Sequence, residues 1–278
     1  MINQAQKEIG VDSTHQVDSL MNTLNQFKTH NLSDQDRASL LDRVDDKFVI
    51  KHADLSELFT SMLPDYTLLN QGDIYRFQYE TNYFDTENFK LFHMHHAGKS
   101  NRLKLRIRNY INSKQSFFEI KKKNNKGLTT KLRKQRAFLF SSSKFDNAFL
   151  KNASIELTYP LKSKLIVRYQ RITFMHKHAN QRITVDTQLH FFDPNAKQSC
   201  EIKDGAIIEI KRQRGDHSLK HSSVHQYLKQ KGYRTNTFSK YCMGCLLCQI
   251  PNIKHNNFKA NLIAIKKSFT LAFMGDPI

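Results

Sequence analysis

Long hydrophobic runs, paired cysteines, glycine and proline are all scarce in this 278-residue chain, and each scarcity removes a class of answer. No stretch approaches the ~18 consecutive apolar residues of a bilayer-spanning helix, which argues against an integral membrane protein. Four cysteines, three of them crowded into Cys242–Cys248, make no disulfide framework for a chain of this length. Nine glycines and five prolines argue against a fibrous or loop-dominated chain. The opening MINQAQKEIGVDSTHQ carries acidic residues and no apolar leader core, so the cytoplasm is the expected location. Carboxylates are short too: 25 Asp and Glu face 44 Lys and Arg, a surplus of 19, with pI near 9.8 and mean hydropathy −0.61. Such a surplus repels itself unless a polyanion or counterions answer it. Hydrophobic residues at 39% and aromatics at 11% nevertheless suffice for a packed core, so the chain is not a disordered one.

The pattern changes along the chain. Val17, Leu20, Met21, Leu24 and Phe27 fall at helical spacing, and a second helix start stands at Ser33 before DQDRASLLDRV. After the strand-like DDKFVI, DLSELFTSMLP puts Leu55, Leu58, Phe59 and Met62 on one helical face and stops at Pro64. From Ile74 the period becomes two, through IYRFQYETNYFD, NRLKLRIRNYI, SFFEIKKK, LTTKLRK, SIELTYP, KLIVRYQRITF, QRITVDTQLHF and AIIEIK. Helices are expected at ENFKLFHMHHAG, in QRAFLFSSSKFDNAFLKN, and in HSLKHSSVHQYLKQKG, which ends at Gly232. With no linker or internal repeat, a mainly antiparallel β domain with peripheral helices is predicted.

Alternation within the strands carries the chemistry. In NRLKLRIRNYI, Leu103, Leu105 and Ile107 oppose Lys104, Arg106 and Arg108. In SFFEIKKK, Phe118 and Ile120 oppose Glu119, Lys121 and Lys123; Lys131 and Arg133 share a face of LTTKLRK. Arg182, Thr184 and Asp186 fall together, as do Glu209 and Lys211. Any one such strand reads as a half-solvated sheet. Repeated over five strands, the design needs an anion above it or carboxylates among it, because like charges on neighbouring strands repel. An open basic sheet that docks a nucleic-acid backbone and a sheet closed round a cationic lumen both satisfy that need. Glu119 and Glu209 each precede a lysine by two residues, giving Glu-x-Lys twice. Carboxylates that hold a hard divalent ion beside phosphate-neutralising cations suit a phosphate site better than a nucleic-acid face, and stacking aromatics are mostly absent from the charged faces of these strands.

These residues resemble the polyphosphate polymerase domain of vacuolar transporter chaperone (VTC) proteins, within the CYTH or triphosphate tunnel metalloenzyme superfamily. The motifs follow in order from Arg43 to about Tyr241: RVDDKFVI, ETNYFDT, LFHMHHAGK, KLRIRNY, FFEIKKKNNKG with TKLR, VRYQRITF, QRITVDT, IIEIK and TFSKY. The resemblance implies an α+β fold, an antiparallel β-barrel tunnel with peripheral helices, over residues 41–250, preceded by a helical segment 1–40 and followed by a basic tail 251–278 packed on the domain. It implies phosphate contacts at Lys47, Arg106, Arg108, Lys121, Lys131, Arg171, Arg182 and Lys240, cofactor-binding positions at Lys211 and Arg133, and metal ligands at Glu209 and Glu119. Arg171 is preferred to Arg168, which alternation puts on the opposite face. In such a tunnel the charged side chains converge on one lumen, while Leu105, Ile107, Ile120 and Ile208 face outward under helices.

The activity implied is transfer of the terminal phosphate of ATP to a growing inorganic polyphosphate chain, with Mn²⁺ or Mg²⁺. The N-terminal strand departs from the Glu-x-Glu-x-Lys of CYTH triphosphatases, offering only VDDKF with Asp45 beside Lys47, which favours polymerase over hydrolase. A tripolyphosphatase or nucleoside triphosphatase of the same fold, and a non-catalytic binder of polyphosphate or nucleic acid, are the alternatives. The expected partners are ATP and polyphosphate, with no specific nucleic acid and no transmembrane segment. His93, His95 and His96 lack zinc-ligand spacing, and Cys242, Cys245 and Cys248 beside Leu246 and Leu247 read as a buried helix. Lys122, Lys123 and Lys126 read as a solvated hairpin turn.

Overall fold

A computed structural model of the protein describes residues 19–38, 43–126, 128–138, 144–157, 159–195, 198–215 and 222–274. Val17 and most of the 1–40 segment's first half lie outside the described residues. The chain divides into two compact units, one made of residues 1–76, 171–187 and 204–237, the other of 77–170, 188–203 and 238–278.

The first unit holds β1 (Thr29–His30), β2 (Arg43–Lys51), β3 (Tyr66–Leu69) and β11 (Gly205–Gln213), with helices α1 (19–25), α2 (Leu55–Met62) and α5 (Ser223–Gln230). It also takes the second half of β8 (Lys162–His176) and the first half of β9 (Gln181–Phe192). Strand β11 pairs antiparallel with β2 and β9, and β3 pairs antiparallel with β8. The α2 face read from the sequence is buried as expected, and the helix stops just before Pro64. Leu20 and Leu24 of α1, Leu58 and Phe59 of α2, and Val224 and Leu228 of α5 pack on Phe48, Ile172, Ile183, Val185, Ile208 and Ile210. Three helices thereby cover the apolar face of these strands and leave the charged face to other partners. Gly232, at φ +74°, closes α5 where a side chain would be strained.

The second unit is a sheet with strand order β12-β10-β9-β8-β4-β5-β6-β7. Its further elements are β4 (Phe77–Asp85), β5 (Arg102–Tyr110), β6 (Gln115–Lys123), β7 (Thr129–Arg136), β10 (Ser199–Ile202) and β12 (Leu271–Met274). Its helices are α3 (Lys90–His96), α4 (Asn147–Asn152), α6 (Lys240–Leu247) and α7 (Lys259–Ser268). The end strands β12 and β7 are not paired to each other among the described residues. Leu105, Ile107, Ile120 and Phe84 pack under Leu91 of α3 and Phe149 and Leu150 of α4. The alternation is thus resolved as predicted in both units: the aliphatic side chains, Ile208 included, lie under helices.

Three readings change. SIELTYP is not a strand: α4 ends at Asn152, Ser154 takes φ +52°, and Ile155 folds back to donate its N–H to Leu150. The helix expected from Gln135 is only Asn147–Asn152, because Gln135 and Arg136 pair with Phe117 and Ser116 in the β6–β7 ladder. The tail supplies a strand, β12, that joins β10. As for α6, Cys242, Cys245 and Cys248 are buried and free, as expected. A Cβ on Gly244 would stand 2.5 Å from Leu165 and Phe191, so only glycine lets this helix sit so close to β8 and β9.

Candidate functional site

In the second unit the pairing of β5, β6 and β7 lines up side chains of one face in rows. Lys104, Lys121 and Lys131 stand directly opposite one another in one row, and Arg106, Glu119 and Arg133 in the next. Glu119 is the only carboxylate on these three strands. Its side chain is 2% exposed and sits among cations: Arg106 Nη2 lies 2.6 Å and Arg106 Nε 2.7 Å from Oε2, Arg108 Nη1 3.7 Å from Oε2, and Lys131 Nζ 2.9 Å from Oε1. Burial pushes the Glu119 pKa up, but Arg106, Arg108 and Lys131 together outweigh it and hold the carboxyl well below the usual range. In the lysine row Lys131 shares in this balance through Glu119 Oε1, and Lys104 Nζ donates to Ser239 Oγ at 3.1 Å.

Aromatic rings support the cations, most of them supplied by other strands than the charged ones. Arg106 lies over Tyr83, Arg108 over Tyr79, and Arg133 only 3.4 Å from the centre of Phe117. Lys240, at the start of α6, lies over Tyr169, which stacks on Tyr79. These tyrosines come from β4 and β8, so they escape any scan of the charged strands themselves. They stiffen long side chains by cation–π contact.

In the first unit the rows are Lys47–Glu209–Thr184 and Asp45–Lys211–Arg182, across β2, β11 and β9. Glu209 accepts Lys47 Nζ at 2.9 Å on Oε1 and Lys211 Nζ at 2.9 Å on Oε2. Burial opposes its ionisation, yet Lys211, Lys47 and Arg171 hold its pKa well below the usual carboxylate value. Lys211 is pushed down to about 8, by burial first and then by Arg171 and Arg182, against the pull of Glu209. Arg171 grips Asp186 with two bonds, Nε to Oδ1 at 2.6 Å and Nη2 to Oδ2 at 2.8 Å. Thr184 Oγ1, buried directly opposite Glu209, has no hydrogen-bond partner among the described residues.

The predicted residues therefore fall into two sets: Arg106, Arg108, Glu119, Lys121, Lys131, Arg133 and Lys240 in one unit, Lys47, Arg171, Arg182, Glu209 and Lys211 in the other. Arg168 is elsewhere, paired with Glu80 at 2.9 Å and lying over Phe192 beside a cavity of about 360 Å³. Lys104 and Thr184 were not singled out from the sequence; Lys104 was visible by alternation, whereas the significance of Thr184 depends on register with Glu209. His96 accepts the Asn257 N–H, which ties α3 to the tail.

The two carboxylates differ as metal ligands. In charge they are alike: Arg106, Arg108 and Lys131 surround Glu119, and Lys47, Lys211 and Arg171 surround Glu209, so the difference lies in the neighbouring oxygen donors. Glu209 stands beside a hydroxyl without a partner, a pair of hard oxygen donors. A divalent ion held by one or two protein oxygens and completed by phosphate oxygens fits that set. Among the described residues no three His, Cys, Asp or Glu form a ligand cluster.

The family model of the VTC domain matches residues 42–249. The chain belongs to the VTC domain family. Among solved structures, a candidate adenylate cyclase from Bacillus halodurans is similar at 16% identity and TM-score 0.46, over 71% of this chain and 94% of that one. A candidate adenylyl cyclase from Hippeastrum, described as having a dominant triphosphatase activity, is similar at 14% identity and TM-score 0.44, over 77% of this chain and all of that one, 100%. A conserved hypothetical protein from Pyrococcus furiosus follows at 14% identity and TM-score 0.40, over 71% and 96%. No curated protein matches the chain. Among the described residues no helix is long and apolar enough to cross a membrane.

Proposed function

We propose that this protein is a metal-dependent polyphosphate polymerase that passes the terminal phosphoryl group of ATP to the end of a growing inorganic polyphosphate chain. The observation that carries the reading is the lysine row Lys104–Lys121–Lys131 beside the caged Glu119, in a chain of the VTC family. Like charges directly opposite on neighbouring strands destabilise a sheet; Glu119 offsets part of that cost at Lys131, and a linear polyanion laid along the row would offset more.

In this reading a terminal oxygen of the polyphosphate chain attacks the γ-phosphorus in line. The bond from that phosphorus to its bridging oxygen breaks, and ADP leaves with the electron pair. No protein nucleophile is needed, because positioning and charge neutralisation dominate phosphoryl transfer. Arg106 and Arg108 offer planar forks to phosphate oxygens while Lys47, Lys121, Lys131 and Lys240 act as point charges. Arg171, Arg182 and Lys211 do the same beside Glu209, and Arg133 beside Phe117. Glu119 keeps the arginines extended and pre-organised. Glu209, with Thr184, would hold Mn²⁺ or Mg²⁺, which supplies Lewis-acid neutralisation of phosphate charge when bound.

The test compares wild type with Glu209→Gln in ATP consumption with Mn²⁺ or Mg²⁺. The amide keeps the volume but loses the charge that holds a hard cation. Turnover should collapse while polyphosphate binding survives or tightens. Equal turnover in the variant refutes the metal assignment. Absence of metal-dependent turnover in the wild type would leave a polyphosphate-binding protein.

A further inference from the structure

The C-terminal elements of the second unit present a surface that the phosphate chemistry does not use. On α7, at 3.6 residues per turn, Lys259, Ile263, Lys266 and Lys267 project from one side, and all are exposed. Ile265, on the opposite side, is buried at 1% and Phe258 just before the helix at 7%. The helix is thus anchored by its inner edge and shows solvent a mixed face of lysines and an isoleucine that is 42% exposed.

Strand β12, which follows α7 in the chain, carries a second exposed apolar side chain. Phe273 pairs with Cys200, so the two side chains leave the ladder on the same side. Phe273 is 52% exposed there. Glu201, one position along β10, points to the other side and is paired with His190 at 3.2 Å. Between Asp216 and Asp276 the sequence contains no Asp or Glu. No ion pair joins Lys259, Lys266 or Lys267 to a carboxylate among the described residues.

We propose that α7 and β12 dock the protein on an anionic lipid bilayer, the lysines meeting headgroups while Ile263 and Phe273 enter the acyl boundary. A soluble polyanion would be answered by the lysines alone and gives no reason to expose an isoleucine and a phenylalanine as well. An interfacial helix uses this combination of cations flanking exposed apolar side chains. The segment lies outside the residues assigned to phosphate transfer, so the inference stands independently of the proposed activity.

The experiment is co-sedimentation of the full chain with phosphatidylcholine vesicles, with and without phosphatidylserine, at two salt concentrations. Wild type should partition onto the phosphatidylserine vesicles only, and less at high salt. Lys266→Glu with Lys267→Glu should weaken partitioning by roughly 30-fold or more, and Ile263→Asp with Phe273→Asp by about tenfold or more. All four side chains are exposed, and unchanged far-ultraviolet dichroism would verify folding; the single variant Ile263→Ser is the milder fallback, with a smaller loss expected. Equal binding to both vesicle types, or phosphatidylserine binding unaffected by the apolar pair, overturns the proposal. Loss of short-polyphosphate binding in the lysine pair, with no vesicle binding by wild type, would give the surface to a soluble polyanion instead.

Discussion

Replacing Glu119 by Gln tests whether this carboxylate balances its cations. The substitution keeps the shape and one acceptor but removes the charge that Arg106, Arg108 and Lys131 share. Removing one partner of a buried ion pair costs ~3–5 kcal/mol. Water takes part of that loss here, because the side chains of Arg106 and Lys131 are 23% and 44% exposed; a destabilisation of ~2–3 kcal/mol follows. The assay is urea unfolding followed by far-ultraviolet dichroism at neutral pH, with and without tripolyphosphate. The midpoint should fall in the variant, and tripolyphosphate should restore more stability to the variant than it adds to wild type, since the ligand replaces the missing negative charge. The pH dependence has a fixed sign. The folded pKa of Glu119 is depressed, so its contribution is complete above the unfolded value of ~4.3 and is lost as pH falls below it. The gap between wild type and variant should therefore shrink on acidification below about pH 4. An unchanged midpoint, or equal stabilisation of both proteins by tripolyphosphate, would refute the reasoning.

Other outcomes follow from the same geometry. Arg106→Ala removes a guanidinium fork, so polyphosphate affinity measured by calorimetry should drop and turnover fall by roughly 10²-fold; unchanged affinity would take Arg106 out of the site. Gly244→Ala places a methyl 2.5 Å from Leu165 and Phe191 and should lower stability by ~1–3 kcal/mol in urea, whereas an unaltered midpoint would mean that α6 shifts freely. Short polyphosphate should displace duplex DNA from the protein in a fluorescence-anisotropy competition, with an affinity that declines steeply with salt. DNA that resists displacement would point to a nucleic-acid face.

Much of this was legible because the periods are strong. Leu55, Leu58, Phe59, Met62 and Pro64 mark α2 by spacing and by a residue that cannot continue the helix. The charged and aliphatic faces separate by strict alternation in β5 and by its main trend in β6 and β11, and the helices cover the aliphatic ones. Strands of two to four residues, such as Thr29–His30, Tyr66–Leu69 and Leu271–Met274, are too short to establish a period and exist by virtue of partners far away in sequence. SIELTYP alternates like a strand, but the turn after α4 claims Ile155 for its own backbone and core. At the site, charge signs were readable and pairings were not. That Arg171 holds Asp186 rather than standing free, that tyrosines of β4 and β8 underlie the arginines, and that Thr184 stands opposite Glu209 all depend on register between strands.

The central claim is decided by the fate of the γ-phosphate. Purified protein incubated with ATP and Mn²⁺ or Mg²⁺, and followed by phosphorus magnetic resonance, should accumulate the resonance of internal phosphates in long chains while ADP forms. Stoichiometric release of orthophosphate without internal phosphate would make the protein a triphosphatase and contradict the polymerase reading.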